Sequence, residues 1–330
     1  MIEAKFYESE DDIVVCNLCP HHCRIQDGKT GICDVRKNQD GKLISLNYSE
    51  ITAFGLDPIE KKPLFHFKPG EEILSLGTWG CNLSCPFCQN FEISKTSPQE
   101  KKIIQPFEIV GLMKKYKVNG VAYTYSEPVV WYEYVLETSK LVKQENEKNY
   151  NVMITNGFIE KEPLKELLPY IDAFNIDLKT FDEKIYKKEL KGELENIKNN
   201  IEFLYKQGKH VEITTLIVPG ISNDLKLLEN EFKFISSVSQ KIPLHLSRYF
   251  PRYKYDQMPT DIGIMKEFYH LAKKYLDHVY LGNVWNKNYE STYCSKCGET
   301  LIERSGYNIK FKNLDKNGGC IKCGLKEIEI

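Results

Sequence analysis

The chain has 330 residues, of which 42% are hydrophobic and 28% are charged, and its formal net charge at pH 7 is −1. This length is enough for one sizeable α/β domain with small appendages. The balanced charge provides no global field that would draw the protein to nucleic acid or to a membrane surface. Because no apolar run approaches the roughly 20 residues that span a bilayer, and the first residues lack a signal-peptide pattern, we expect a cytoplasmic protein.

The 11 cysteines fall into three groups: four in the first 33 residues, three between positions 81 and 88, and four after position 293. A disulfide scaffold would leave one cysteine unpaired and would require an oxidising compartment. The grouping therefore favours metal sites.

The N-terminal group consists of Cys16, Cys19, Cys23 and Cys33, separated by two, three and nine residues. Four thiolates at such spacings predict a closed tetrahedral metal site. Zinc is our first interpretation, and an auxiliary iron–sulfur cluster is the alternative.

The segment between the first two cysteine groups contains a predicted strand at 43–48. Residues 57–70 contain three prolines and end with a glycine, which excludes a long helix. We predict an extended lead-in there that places Phe65 and Phe67 on the core and gives His66 a structural role.

The central group, Cys81, Cys85 and Cys88, has the spacing C-x3-C-x2-C and follows an apolar run at 73–76 that predicts a buried strand. Three thiolates are one fewer than a structural zinc or a fully ligated cluster requires. A [4Fe–4S] cluster bound by three cysteines leaves one iron open to a substrate, and Phe87 can cover the adenine of a nucleoside bound there. The alternatives are a zinc loop or cysteines that serve packing.

After this loop, predicted strands alternate with predicted helices as far as position 281. The strands are predicted at 118–125, 150–155, 173–179, 211–218, 244–250 and 279–281. The helices are predicted at 106–116, 129–145 and 163–168, with further apolar helical faces starting at Leu194, Leu225 and Ile264. This alternation predicts an α/β fold with a parallel sheet, and about six strand–helix units suit an open partial barrel with a side mouth for a large substrate.

Polar residues follow several of these strands, where parallel barrels carry their functional residues. Glu127 follows one strand and precedes Pro128, and Asn156 follows the next. Asp177 and Lys179 are two residues apart and share a face of their strand, where a charged pair needs a partner or a ligand. The alternatives are an ordinary helix start, a turn residue and an internal salt bridge.

The tail contains two C-x2-C-G knuckles, Cys294 with Cys297 and Cys320 with Cys323, with 22 residues between the pairs. A strand-like stretch at 301–311 lies between them. This pattern predicts a zinc ribbon.

The C-x3-C-x-aromatic-C pattern resembles the signature of the radical S-adenosylmethionine (SAM) superfamily. The resemblance implies that Cys81, Cys85 and Cys88 hold a [4Fe–4S] cluster whose open iron is chelated by the amino and carboxylate groups of SAM. It also implies that one electron from the reduced cluster splits SAM into methionine and a 5′-deoxyadenosyl radical. No catalytic residue beyond the cluster is assigned.

Strand ends of this chain are similar to motifs of the same superfamily and of its pyruvate formate-lyase-activating enzymes. Residues 124–128 resemble a Gly-Gly-Glu-Pro turn that meets the SAM amino group, with tyrosine and serine in place of the glycines. Residues 154–157 resemble Asp-Thr-Asn-Gly, with isoleucine in place of the aspartate, and residues 177–179 resemble Asp-x-Lys. These similarities, with the aromatic residue of the cysteine loop, imply six SAM-binding residues. They are Phe87, Glu127, Asn156, Asp177, Lys179 and His245.

Stretches along nearly the whole chain resemble the radical SAM member of the AmmeMemoRadiSam gene trio, a family related to the pyruvate formate-lyase-activating enzymes. These stretches are residues 16–23, 57–70, 123–131, 245–253, 281–284 and 292–294. The resemblance implies a partial (β/α)6 TIM-like barrel over residues 71–285. A metal-binding segment with its lead-in at 1–70 would precede the barrel, and a zinc-ribbon-like tail at 286–330 would follow it.

The leading hypothesis is a radical SAM oxidoreductase that abstracts hydrogen from an unidentified substrate, for which a partner protein is one candidate. A ferredoxin or flavodoxin is the expected electron donor. The second hypothesis is a glycyl radical enzyme activase. The third, a zinc-dependent nucleic-acid-binding module, has only the predicted ribbon in its favour, and the net charge of −1 and the lack of a basic stripe count against it.

Overall fold

The computed structural model describes residues 1–10, 12–95 and 97–330. Over these residues the chain is organised around one sheet of eight strands, which lie side by side in their sequence order. We number them β1 to β8, and their bounds are Ala53–Pro58, Glu72–Gly77, Gly120–Tyr123, Tyr150–Thr155, Ala173–Asp177, His210–Ile217, Leu244–Arg248 and Val279–Gly282. Strands β2 to β8 are parallel, which confirms the predicted parallel sheet. The sheet is open, because β1 and β8 each pair with one neighbour in it.

Helices connect the parallel strands. The longer ones span Pro106–Tyr116, Tyr132–Glu145, Lys161–Leu167, Leu194–Lys206, Leu225–Val238 and Ile262–Ala272. Shorter helical segments lie at Ile59–Lys61, Phe91–Ser94, Pro128–Trp131, Glu183–Ile185, Tyr186–Leu190 and Lys287–Glu290. Local chemistry explains several starts: Pro106 opens its helix, and the carboxylates of Asp224 and Asp261 accept hydrogen bonds from first-turn N–H groups.

Short antiparallel strands flank the central sheet. In the N-terminal segment they span Ile2–Glu3, Tyr7–Glu10, Ile13–Cys16, Arg24–Gln26, Arg36–Gln39, Lys42–Ser45 and Glu50–Ile51. Farther along they span Lys102–Ile103, Thr292–Tyr293, Thr300–Ser305 and Asn308–Phe311. The strand-like stretch predicted in the tail is therefore a hairpin, because its last two strands pair antiparallel.

The antiparallel edge strand β1 is the main difference from the predicted fold. The sequence predicted an extended lead-in from position 57, whereas Ala53–Pro58 pairs along β2 with Asp57 opposite Ile73. Pro58 lies at the strand end, where a proline disturbs the ladder least. The pattern within the segment gave no signal for this pairing, because its partner residues lie in another part of the chain.

The tail is docked on the lead-in rather than standing apart. Phe67 forms a β-bridge with Glu329, and the N–H of Lys68 donates to the Glu329 carbonyl at 2.7 Å. The guanidinium of the buried Arg304 lies 4.3 Å from the centre of the Phe65 ring and donates to the Phe65 carbonyl at 2.7 Å. The tail therefore contributes to the core of the same fold.

Among the described helices, none has the length and apolarity that crossing a membrane requires.

We predict that Arg304→Met destabilises the protein by about 3–5 kcal/mol, because it leaves the buried Glu60 carboxylate without its cation. The two side chains lie 3.8 Å apart, and both are almost completely buried. The matched control is Lys322→Met, which removes an exposed pair with Glu299 and should cost much less, because water screens an exposed pair. Urea unfolding measures the free energy of unfolding of both variants. An equal decrease in the two would show that the buried pair stabilises the protein no more than the exposed pair does.

We predict a pH-dependent stability difference between the wild type and Glu231→Gln. Burial raises the pKa of Glu231 to about 8 from 4.5, against the single hydrogen bond that its carboxylate accepts from Thr215. The folded state then binds more protons than the unfolded state between these values, so this group's contribution to the free energy of unfolding falls as pH rises through that window. Urea unfolding from pH 5 to pH 8 should show the variant gaining on the wild type by at least ~1 kcal/mol. A constant difference would mean that Glu231 titrates normally.

Candidate active site at the carboxyl ends of the strands

A cavity of about 440 Å³ lies where the carboxyl ends of the parallel strands converge. The three central cysteines all line it. So do five of the six residues that the sequence predicted for SAM binding, namely Phe87, Glu127, Asn156, Asp177 and Lys179. The fold therefore brings together side chains from the cysteine loop and from the ends of three strands.

The cysteine loop follows β2 and begins with a turn that only glycine can make. Gly80 has φ +95°, and a Cβ atom there would lie 2.6 Å from Val35 and 2.9 Å from the Cys33 carbonyl. The N-terminal segment packs closely against this turn, and this packing fixes the position of Cys81 at the start of the loop. Farther along the loop, the N–H of Ser84 donates to the Leu190 carbonyl at 2.8 Å.

The three thiols fit a cluster better than a single ion. Among the described residues, the only group of three or more candidate ligand atoms that all lie within 4.8 Å of one another is in the tail. The sulfur atoms of Cys81, Cys85 and Cys88 are thus more widely spaced than one zinc ion would hold them. Burial raises the pKa of the Cys85 thiol to about 11, and the nearby Lys179 cation opposes that rise, as it would favour a bound thiolate.

Glu127 is buried at the cavity wall and is fully hydrogen-bonded. Its carboxylate accepts from the Thr155 hydroxyl at 2.6 Å, from the Asn156 N–H at 2.8 Å and from the Val129 N–H at 3.0 Å. Burial nevertheless raises its pKa to about 7. Glu127 starts the short helix Pro128–Trp131, as one of the two alternatives holds, and it also lines the cavity.

Tyr125 adopts a left-handed backbone conformation, which glycine takes most readily. Its φ is +71°, which is uncommon for a residue with a side chain. The phenol donates to the Asp57 carboxylate on the edge strand, and the Asn90 side chain donates to the Tyr125 carbonyl at 2.7 Å. These contacts hold the residue in its strained conformation.

Asp177 and Lys179 form an ion pair inside the cavity, with 2.9 Å between the carboxylate and the ammonium. Burial opposes the charge on Lys179, but Asp177 and Cys85 raise its pKa above the ordinary range. Asp177 and Lys179 therefore lie on the same face, as predicted. Because both line the cavity, a bound ligand could replace one of them as the ion-pair partner of the other.

Asn156 connects its strand end to the cysteine loop. Its side-chain N–H group donates to the side-chain oxygen of Asn82 at 2.9 Å and lies 3.9 Å from the Cys81 sulfur. Its side-chain oxygen accepts from the Phe158 N–H at 2.8 Å, as in an Asx turn.

His245 does not line this cavity. The strand predicted at 244–250 is Leu244–Arg248, so His245 lies near its amino end, and Ser247 is the residue that reaches the cavity. The His245 ring is buried and lies 2.6 Å from the Glu212 carboxylate. It lines a neighbouring cavity of about 160 Å³ beside Tyr280.

The sequence did not single out a lysine–carboxylate group that also borders the cavity. Lys61 and Lys62 line the cavity, and the ammonium of Lys62 lies 2.6 Å from the Asp57 carboxylate. The Lys62 side chain is 1% exposed, and burial lowers its pKa to about 8. Two adjacent lysines between prolines look like a solvated turn, so only the long-range pairing of β1 could have indicated this burial.

The two outer cysteine groups differ in their spacing. In the tail, Cys294 and Cys323 have sulfurs 3.5 Å apart, those of Cys297 and Cys320 are 3.6 Å apart, and all four lie within 4.8 Å. This confirms that the four tail cysteines form one cluster, whose sulfur spacing could hold a single metal ion. The four N-terminal cysteines, Cys16, Cys19, Cys23 and Cys33, line one small buried cavity.

Comparisons with known proteins agree with this geometry. The chain matches the radical SAM superfamily over residues 76–229. It is 42% identical to the uncharacterized protein MJ0808 of Methanocaldococcus jannaschii over 99% of this chain and 98% of that one. It is 27% identical to the putative glycyl-radical enzyme activating enzyme MJ1227 of the same organism, over 62% of this chain and 87% of that one.

A crystal structure of a radical SAM methyltransferase from Sphaerobacter thermophilus has a similar fold, with a TM-score of 0.52 at 11% identity over 71% of each chain. The chain belongs to the radical SAM superfamily. It is a SAM-dependent iron–sulfur enzyme, distantly related to the glycyl-radical activating enzymes.

We predict that Lys179→Ala keeps the cluster but weakens SAM binding at least tenfold, about 1.4 kcal/mol, because it removes the cavity's positive charge beside Asp177. Equilibrium dialysis with labelled SAM measures the affinity, and iron counts check the cluster. The control is Lys206→Ala, which removes an exposed pair with Glu202. Unchanged affinity in a folded, iron-loaded Lys179→Ala protein would make the Asp177 pair purely structural.

Proposed function

We propose that this enzyme binds SAM in the central cavity and uses the radical from reductive SAM cleavage to abstract hydrogen from a partner protein. The observation that carries the proposal is the set of side chains around the cavity, which come from separate strands and meet under the cysteine loop. When bound by the three cysteines, a [4Fe–4S] cluster supplies the electron for SAM cleavage and an open iron for SAM.

The charges of the cavity suit SAM, which carries an ammonium, a carboxylate and a sulfonium. In this proposal Lys179 binds the carboxylate, while Glu127 and Asp177 face the cationic groups. Phe87 is buried at the cavity wall and covers the adenine ring. Asn156 holds the cysteine loop in place through Asn82.

The open edge of the sheet favours a large substrate. The central cavity adjoins the second cavity, with which it shares Lys61, Pro63, Ser247 and Asn283. The second cavity is bordered by Trp285 and Tyr307, which are 76% and 54% exposed. Together the two cavities would form a path from the surface to the cysteine loop. In a sheet curved as a partial (β/α)6 barrel, this path would admit a peptide segment.

The motifs quoted from the sequence support membership of the AmmeMemoRadiSam system, and we propose zinc for the tail cysteines because their sulfur spacing suits one tetrahedral ion. A ferredoxin or flavodoxin in the cytoplasm would supply the electron. A second candidate function is activation of a glycyl radical enzyme, which the similarity to a putative activating enzyme favours.

We predict that Cys88→Ala abolishes reductive SAM cleavage, because two thiolates cannot hold a cluster with one open iron. The measurement is formation of 5′-deoxyadenosine and methionine under anaerobic conditions with dithionite. The matched control is Ser84→Ala, which changes an exposed residue of the same loop and should keep the activity. Product formation by the Cys88→Ala variant would contradict the proposed site.

Deuterium transfer distinguishes the two candidate substrates. A deuterated candidate partner protein should transfer deuterium to 5′-deoxyadenosine if it is the substrate. A glycyl radical signal in the electron paramagnetic resonance spectrum of an added glycyl radical enzyme would instead support the activase. If neither protein stimulates SAM cleavage or transfers deuterium to 5′-deoxyadenosine, both candidate functions would be contradicted.

A further inference from the structure

The N-terminal cysteines line one small cavity in the fold. Cys16 ends a strand, and its N–H donates to the Cys23 carbonyl at 3.0 Å, so these two are held together by the backbone. Cys16, Cys19, Cys23 and Cys33 line one buried cavity together with Arg36. This cavity lies apart from the central one, with which it shares no lining residue.

The buried Arg36 has hydrogen-bond donors without acceptors. Its Nη2 donates to the Glu133 carboxylate at 2.6 Å and to the Lys5 carbonyl at 2.8 Å. Its Nε and Nη1 have no partner, although the residue is 1% exposed. Leaving a charged donor buried and unpaired is costly, so these N–H groups call for an acceptor that the protein part alone does not supply.

The spacing of the sulfurs distinguishes the possible occupants. One zinc ion with bonds of about 2.3 Å holds its four sulfurs about 3.8 Å apart, and the tail cysteines meet this spacing, with all four sulfurs within 4.8 Å. No three of the N-terminal sulfurs satisfy the same limit, and neither do the three of the central loop. In the spacing of its sulfurs, the N-terminal group therefore resembles the central cysteine loop rather than the tail.

We propose that Cys16, Cys19, Cys23 and Cys33 bind an iron–sulfur cluster of the [4Fe–4S] class rather than zinc. A cluster spreads its thiolates over separate irons, which fits the wider spacing. Its sulfur atoms are negatively charged acceptors, which suits the two unpaired N–H groups of Arg36.

The site is in contact with the active-site loop. The His21 ring, between Cys19 and Cys23, lies 2.7 Å from the carbonyl of Asn82, the residue after Cys81. A cluster here would therefore be a second redox group beside the one that binds SAM.

Removing the central cysteines isolates the proposed site. The triple variant Cys81→Ala, Cys85→Ala, Cys88→Ala is purified anaerobically, reconstituted with iron and sulfide, and analysed for iron, sulfide and zinc. We expect about four iron, four sulfide and one zinc per chain, with absorbance that dithionite bleaches. Fewer than about one iron together with about two zinc would overturn the proposal.

A further variant controls for iron at other sites. Adding Cys19→Ala and Cys33→Ala to the triple variant should remove the iron and sulfide and leave the tail zinc. Iron retained in this variant would overturn the assignment. If the variants do not fold, the wild type itself decides, since it should contain about eight iron per chain rather than about four.

The role of Arg36 has its own readout. In the triple-variant background, Arg36→Met with Glu133→Gln removes the N–H donors without leaving a buried unpaired carboxylate. Loss of hydrogen bonds to cluster sulfur should lower the reduction potential relative to Glu133→Gln alone. Equal potentials would overturn the part of the proposal that assigns the unpaired donors to the cluster.

Discussion

The position of the cysteine loop depends on one buried side chain, Asn82. Its N–H group donates to the Phe158 carbonyl at 2.7 Å, and its oxygen accepts from Asn156 at 2.9 Å, so the loop is attached to the end of β4. Its backbone carbonyl meets the His21 ring of the N-terminal segment. Three separate parts of the chain thus converge beside Cys81. Because Asn82 is 1% exposed, water cannot substitute for any of these bonds without opening the core.

The other end of the sheet is held by buried charge. Burial alone would raise the pKa of Glu212, but hydrogen bonds from His210 and His245 hold it well below its usual range. The same carboxylate accepts hydrogen bonds from the N–H groups of Phe65 and His66. These bonds attach the lead-in to the amino end of the sheet. The amino end of the sheet is therefore concerned with stability and the carboxyl end with chemistry, as in other parallel α/β folds.

Local pattern in the sequence was sufficient for most of the helices and parallel strands and for much of the cavity lining. The helix Pro106–Tyr116 and the strand Tyr150–Thr155 have the predicted bounds, because proline and apolar runs act within a few residues. The convergence of Glu127, Asn156 and Lys179 followed from the rule that parallel strands end on one side. His245 came from the resemblance rather than from this rule, and it lies near the amino end of its strand, where it lines the neighbouring cavity.

What escaped prediction depends on contacts between distant segments. The pairing of β1 with β2 buries Lys62 beside Asp57, and nothing near these residues in the sequence signals it. Likewise, the four N-terminal cysteines predicted a metal site, but the two observations behind our proposal of a cluster, the sulfur spacing and the unpaired donors of Arg36, cannot be seen in the sequence. Both are properties of side-chain packing rather than of motif spacing.

Mössbauer spectroscopy of the wild-type enzyme, enriched in the iron isotope that the method detects, tests the central claim most directly. The claim is that three thiolates leave one iron open in a cavity that binds SAM. Adding SAM should change the isomer shift of one iron of one cluster and leave the remaining iron unchanged. An unchanged spectrum, while dialysis shows SAM to be bound, would contradict this account.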